Sequence, residues 1–139
     1  MNYMKYLPRG IRNNNPLNIR ISKNNWKGKL PNSSDPCFEQ FISMFMGIRA
    51  AMVCIRTYIK KYHLDTPEKI IARWAPASEN NVQAYVQAAC KQGVLQPDER
   101  ISYENKNQFC RLLWGMAFVE CGRIIDFHYF ESAYTLSKS

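Results

Sequence analysis

Glu120 has the sequence surroundings best suited to proton transfer in this chain of 139 residues. It lies in AFVECG, residues 117–122, at the end of a stretch (105–121) carrying Phe109, Leu112, Leu113, Trp114, Met116, Phe118 and Val119. A helix that is apolar nearly all round sits in the middle of a domain. Low dielectric and the negative end of the helix dipole both disfavour a charged carboxylate there, which is the environment of a general acid. A cation would suit the helix end better, and such a local conflict often marks a site. A plainer reading fits the same spacing as well: Glu120 reaches water or pairs with Arg123 beyond Gly122.

The second concentration of chemistry is RGIRNNNPLNIR, residues 9–20. No helix or strand period explains three asparagines followed by proline. Asparagine side chains compete for backbone hydrogen bonds and tolerate left-handed conformations, and Pro16 disfavours a helical Asn15. The block is therefore expected to be a constrained turn. Its amides, Asn13, Asn14, Asn15 and Asn18, offer donors and acceptors without charge, which suits a neutral polymer such as a glycan. Composition alone favours a surface loop with no further role.

Cleaving a glycosidic bond takes a protonated acid beside the leaving oxygen. A hydrolase adds a second carboxylate, about 6.5–9.5 Å away for inversion or about 5–5.5 Å for retention. Glu39 is the first candidate, with Glu79 in SENN and Asp35 behind it, although each also reads as a solvated surface acid. A lytic transglycosylase does without that group, because a hydroxyl of the sugar itself attacks. Tyr85 could orient the glutamate or stabilise positive charge at the sugar; at helical spacing with Val82, Val86 and Ala89 it is equally a core residue. Trp26, on a loop beside Lys27 and Lys29, is the candidate sugar platform, whereas Trp74 in line with Ile70 and Ile71 reads as a core anchor. Arg49 is expected to fix the asparagine loop or to bind a substrate carboxylate, since a guanidinium does not transfer protons near neutrality. His63 reads as a helix-end residue and His128 as ordinary. Cys121, next to Glu120, is a nucleophile to test and is expected to be inert.

The elements that must position these groups are mostly helical. Short runs near 17–22, 25–29 and 37–41, separated by breakers such as NN and PNSSDP, predict a small irregular β-hairpin region. Residues 44–62 place Phe45, Ile48, Met52, Ile55 and Ile59 on one stripe. Thr66, Pro67 and Glu68 open a short helix that Pro76 closes. Further helices are expected over 80–91, ending near Gly93, over 105–121, and from a cap at Asp126 to about residue 136. With no internal repeat or long linker, residues 1–139 are expected to form one α+β, mostly helical domain.

The net charge of +8 implies attraction to polyanions, but the basic residues are spread and no nucleic-acid motif appears. A nucleic-acid-binding reading would rest on charge alone. Five cysteines with no CxxC pair and two histidines give neither a zinc pattern nor a disulfide framework, so reduced thiols, no metal and no cofactor are expected. No apolar run reaches membrane-spanning length, and the start MNYMKYLPRGIR lacks the apolar region of a signal peptide. The expectation is synthesis in a bacterial cytoplasm, with delivery to the periplasm or wall by something else.

RNNNPLNIR (12–20), WKGK (26–29), FEQFISMFMGIRAAM (38–52), IIARWAPASENNVQAYV (70–86) and AFVECG, in this order, resemble a family of phage and prophage structural or lysozyme-like lytic proteins that carry RNNNPGN and WAPPSENN blocks. The resemblance covers roughly residues 9–122; Leu17 stands where that pattern has glycine. AFVECG is also similar to the catalytic ALESG-type motif of autolysin glucosaminidases and lytic transglycosylases, and NNNPLNIRIS to their NNLFGIK segment, with the order of the two reversed. The resemblance implies a circularly permuted lysozyme-like domain that cleaves bacterial peptidoglycan with Glu120 as acid/base. It also implies association with a virion, a prophage or a secretion system. The alternative from another class is a catalytically silent virion or wall-binding module.

Overall fold

Polar side chains open four of the helices. The computed structural model describes residues 6–76 and 81–139, so Glu79 lies outside the described residues. The helices are α1 (Arg9–Arg12), α2 (Met44–Tyr62), α3 (Pro67–Trp74), α4 (Val82–Gly93), α5 (Lys106–Cys121) and α6 (His128–Ser137). Ser43, Thr66, Asn81 and Asn105 accept the Met46, Lys69, Ala84 and Gln108 amides, which satisfies otherwise orphaned first-turn donors of α2 to α5. His63, Val94 and Gly122 end α2, α4 and α5 in the left-handed conformation. Asp126 accepts the His128 amide at 3.0 Å, at the start of α6.

The chain is mostly helical. Where a hairpin is expected, the described residues contain two isolated antiparallel bridges, Arg20 with Phe38 and Lys29 with Phe41. One extended segment, residues 37–42, is shared between two partners. Its first half bonds 19–21 (Ile21 N to Cys37 O, Glu39 N to Ile19 O) and its second half bonds 28–30 (Leu30 N to Gln40 O, Ile42 N to Gly28 O). Neither pairing is long enough to become a ladder.

The core is built around α5, whose Phe109, Leu112, Leu113 and Met116 are buried. α4 packs along α5, α6 covers α2, and α3 joins the α4 side. The two closest approaches at glycine are both to backbone carbonyls. A Cβ on Gly115 of α5 would lie 2.2 Å from the Ala89 carbonyl of α4. A Cβ on Gly47 would lie 1.8 Å from the Asn14 carbonyl, so α2 is seated directly on the asparagine turn. Leu17 is fully buried, and the left-handed residues of the turn are Asn14 and Asn18. Among the described residues no helix is long and apolar enough to cross a membrane.

Candidate functional site

The asparagine turn docks on the C-terminal end of α5. After α1, the Asn15 amide bonds the Gly10 carbonyl at 2.8 Å, and the chain folds back with Asn14 and Asn18 at φ of 52° and 55°. The Cys121 thiol donates to the Pro16 carbonyl at 3.2 Å. Asn18 Nδ2 then donates to Glu120 Oε1 at 2.9 Å, across 102 residues of sequence. From the other side, the Tyr85 hydroxyl on α4 donates to Glu120 Oε2 at 2.8 Å, with the Met116 carbonyl 3.4 Å from the same hydroxyl. Two elements distant in sequence thus hold both oxygens of one carboxyl group.

Burial is the dominant influence on Glu120 and raises its pKa above the ordinary carboxylate value. The Asn18 and Tyr85 hydrogen bonds and the charge of Arg20 oppose the rise without cancelling it. Tyr85 is pushed well above the usual phenol range, first by burial and then by Glu120, so it remains a hydroxyl donor. The structure thus brings Tyr85 and Glu120, both sequence candidates, into direct contact.

Glu120 and Asn18 line a cavity of about 660 Å³. Trp26, Phe38, Tyr58 and Trp74 supply aromatic wall, and Ser22 and Asn24 supply polar edge. Among the described lining residues, Glu120 is the one carboxylate and Arg20 the one cation. Trp74 is a half-buried wall residue as well as an anchor: its indole N–H donates to the Leu17 carbonyl at 3.1 Å and its ring meets Tyr58 at 6.1 Å. Asn18 Oδ1 and Trp26 Nε1 are buried without a partner among the described residues, the kind of exception that clusters at sites.

Several sequence candidates lie elsewhere, because internal hydrogen bonds take their side chains. Glu39 is 1% exposed, pairs with Lys29 Nζ at 3.0 Å and accepts the Ser22 amide at 3.3 Å. Lys29 Nζ also binds the Ser22 and Asn24 carbonyls at 3.1 and 3.0 Å. Glu39 therefore fixes the cavity rim through Lys29 and does not line the cavity. Asp35 is taken by the Arg9 guanidinium through two contacts of 2.6 Å and by Asn13 at 3.0 Å, and Arg9 holds its pKa below the usual carboxylate range. Asn13 further accepts from Gln40, Asn14 donates to the Phe41 carbonyl, and Asn15 donates to the Ile19 and Glu39 carbonyls. These three amides staple the turn, and only Asn18 reaches the cavity. Arg49 is buried on the α2–α6 side, donating to Leu136 O at 3.4 Å, away from both the turn and the cavity.

Sequence reasoning passed over Tyr58, Phe38, Cys54 and Arg20 as site residues. Tyr58 had a signal in its spacing, four residues after Cys54 on the same helix, and Arg20 in closing the asparagine block. Both thiols near the cavity stay protonated through burial, Cys54 up to about 11 and Cys121 up to about 12, so neither is an activated nucleophile. Among the described residues no three metal-ligating side chains converge.

No family model matches the chain. It is similar to "Protein P5" of Pseudoalteromonas phage PM2, at 39% identity over 99 residues that cover 69% of this chain. The chain spans 62% of the length of that phage protein. A bacteriophage homologue is thus established.

Proposed function

We propose that this chain is a phage-associated, lysozyme-like domain that cleaves the glycan strand of bacterial peptidoglycan, with Glu120 as the single acid/base. One observation carries the reading: the only described carboxylate on the wall of an aromatic cavity is also the one whose burial favours the protonated form. Protonated Glu120 gives its proton to the glycosidic oxygen as the bond to the anomeric carbon breaks. With no second described carboxylate on the wall, the lytic route fits best. The 6-hydroxyl of the muramyl residue attacks its own anomeric carbon and returns its proton to the Glu120 carboxylate. Asn18 and Tyr85 stabilise that carboxylate between the two transfers, and Trp26 and Trp74 offer apolar faces to sugar rings. A muramidase would add a water in place of the hydroxyl. The circular permutation of a lysozyme-like domain, and delivery by a virion or a secretion system, belong to this same proposal.

A silent wall-binding module is the second reading. It is favoured by the hydrogen bonds already made to both Glu120 oxygens, since a carboxyl so held can serve as a staple between the turn and α4. Mass spectrometry of peptidoglycan incubated with wild type and Glu120→Gln separates the two. Anhydromuropeptides from the wild type alone support the lytic route, and reducing muropeptides support the muramidase. Release of nothing by a folded wild type, with retained sedimentation on walls, supports the binding module.

A further inference from the structure

We propose that a cationic face formed by α2, the start of α5 and the end of α6 binds the phosphate backbone of double-stranded DNA, a second activity that does not use the cavity. The basic residues are spread along the sequence, but the fold gathers four of them over two tyrosines. The Tyr103 and Tyr134 ring centroids lie 5.0 Å apart. Lys138 Nζ is 4.9 Å from the Tyr134 centroid and 5.5 Å from that of Tyr103, and Lys106 Nζ is 5.9 Å from Tyr134. The Arg56 guanidinium carbon and Lys60 Nζ lie 4.9 and 5.5 Å from the Tyr103 centroid. Hydrogen bonds fix both rings. The Tyr134 hydroxyl donates to the Tyr103 carbonyl at 2.8 Å, and the Tyr103 hydroxyl meets Ser137 Oγ at 2.6 Å and accepts from Arg56 Nη1 at 3.2 Å.

Aromatic faces attract cations, yet four like charges in one place repel. Among the described residues, Glu104 is the one carboxylate in an ion pair with them, on Lys60 at 3.2 Å. Lys106 is the first residue of α5, where the helix dipole disfavours a cation. Positive charge gathered this way and left largely unneutralised is a local conflict that a polyanion resolves. The covered rings decide which polyanion. Tyr103 is 6% exposed and Tyr134 3%, so they offer no platform for unstacked bases and no apolar group to enter a bilayer. Duplex DNA needs neither, because its phosphates are outermost and its bases stay stacked. Lys60, Lys106 and Lys138 are exposed, and flexible point charges suit backbone contacts that read no sequence. Along α2, the cavity residues Cys54 and Tyr58 alternate with Arg56 and Lys60, a spacing that puts the two pairs on opposite sides of the helix. DNA and a cavity ligand therefore meet different faces.

Fluorescence anisotropy of a short labelled duplex, titrated with the full chain from about 50 to 200 mM salt, reads the contact directly. Each phosphate contact contributes about −0.9 to the slope of log K against log salt, so three to four contacts give a slope of roughly −3. Lys106→Gln with Lys138→Gln is expected to weaken binding at least tenfold at about 50 mM salt and to make the slope shallower by about 2. Lys23→Gln with Lys27→Gln removes the same charge from the loop beside the cavity and is expected to leave the slope unchanged, with circular dichroism confirming that both double variants are folded. Glu120→Gln is expected to bind the duplex as the wild type does, so failure of the wall-cleaving reading and failure of this one are told apart. No duplex binding at low salt overturns the proposal, as does a slope that survives the Lys106 and Lys138 substitutions. Tighter binding of a single strand of the same length also overturns it. Lysine-dependent binding to phosphatidylglycerol vesicles with none to the duplex reassigns the face to a membrane surface and overturns it as well.

Discussion

Replacing Glu120 by glutamine is expected to abolish cleavage and, at the same time, to stabilise the fold above neutrality. The amide has the shape of the carboxyl and can keep its neighbours. Its oxygen accepts from Asn18 Nδ2, and its NH₂ donates to Tyr85, whose hydroxyl turns to the Met116 carbonyl. What the substitution removes is a charge that burial disfavours. A carboxyl whose folded pKa lies above its unfolded value binds more protons in the folded state between the two values. Its ionisation therefore subtracts stability as pH rises through that window, and below the ordinary value of 4.5 the penalty is absent. Two hydrogen bonds and Arg20 offset part of the burial without cancelling it, so a gain in stability is expected at pH 8. For a domain of this size each kcal/mol gained reads as roughly 3–5 °C in Tm. Urea denaturation followed by circular dichroism at pH 8 and pH 4 reads both limits, the gain being present at the first and nearly gone at the second. A variant less stable than wild type at pH 8, or a gain of equal size at pH 4, would refute the account of Glu120 as a carboxyl held against its own charge.

Gly47→Ala drives a methyl into the Asn14 carbonyl and is expected to cost about 3 kcal/mol in urea denaturation, with the asparagine turn losing hydrogen-exchange protection first. Lys29→Met leaves Glu39 buried without its cation, for a loss of about 3–5 kcal/mol; the double variant with Glu39→Gln should recover most of it. If the double is no better than the single, the pair is not the stake that holds the rim. Val94→Gly relieves a β-branched residue at φ 56° on the surface and should raise stability by about 0.5–1 kcal/mol, measured by calorimetry at constant pH.

Much of the helical frame was legible in the sequence, because caps and periods are local signals. The stripe over 44–62 and the Thr66-Pro67 start place α2 and α3 with their observed bounds, and the apolar density of 105–121 identifies the central helix. Glu120 and Tyr85 were also legible as candidates, one from its conflict with a helix end and the other from its polar tip. The destinations of the amides were not. Asn13, Asn14, Asn15 and Asn18 look alike in sequence, and only the return of the chain onto α5 decides that three face inward and one faces the cavity. Glu39 misled for the same reason, since its partner Lys29 comes from a neighbouring loop. The hairpin was overcalled because alternation along 37–42 says nothing of how many partners that segment must serve.

The absent side chain of Gly115 sets the working tolerance of the candidate site. Ala89 and Tyr85 lie one helical turn apart on α4, and Gly115 and Glu120 little more than one turn apart on α5, so the gap at the glycine behaves like a spacer beneath the tyrosine–glutamate contact. One added carbon would have to push the helix axes apart, and a 2.8 Å hydrogen bond cannot follow even a modest parting. The accuracy with which the Glu120 carboxyl meets the Tyr85 hydroxyl is thus machined into the backbone one turn away, at a residue that touches neither group.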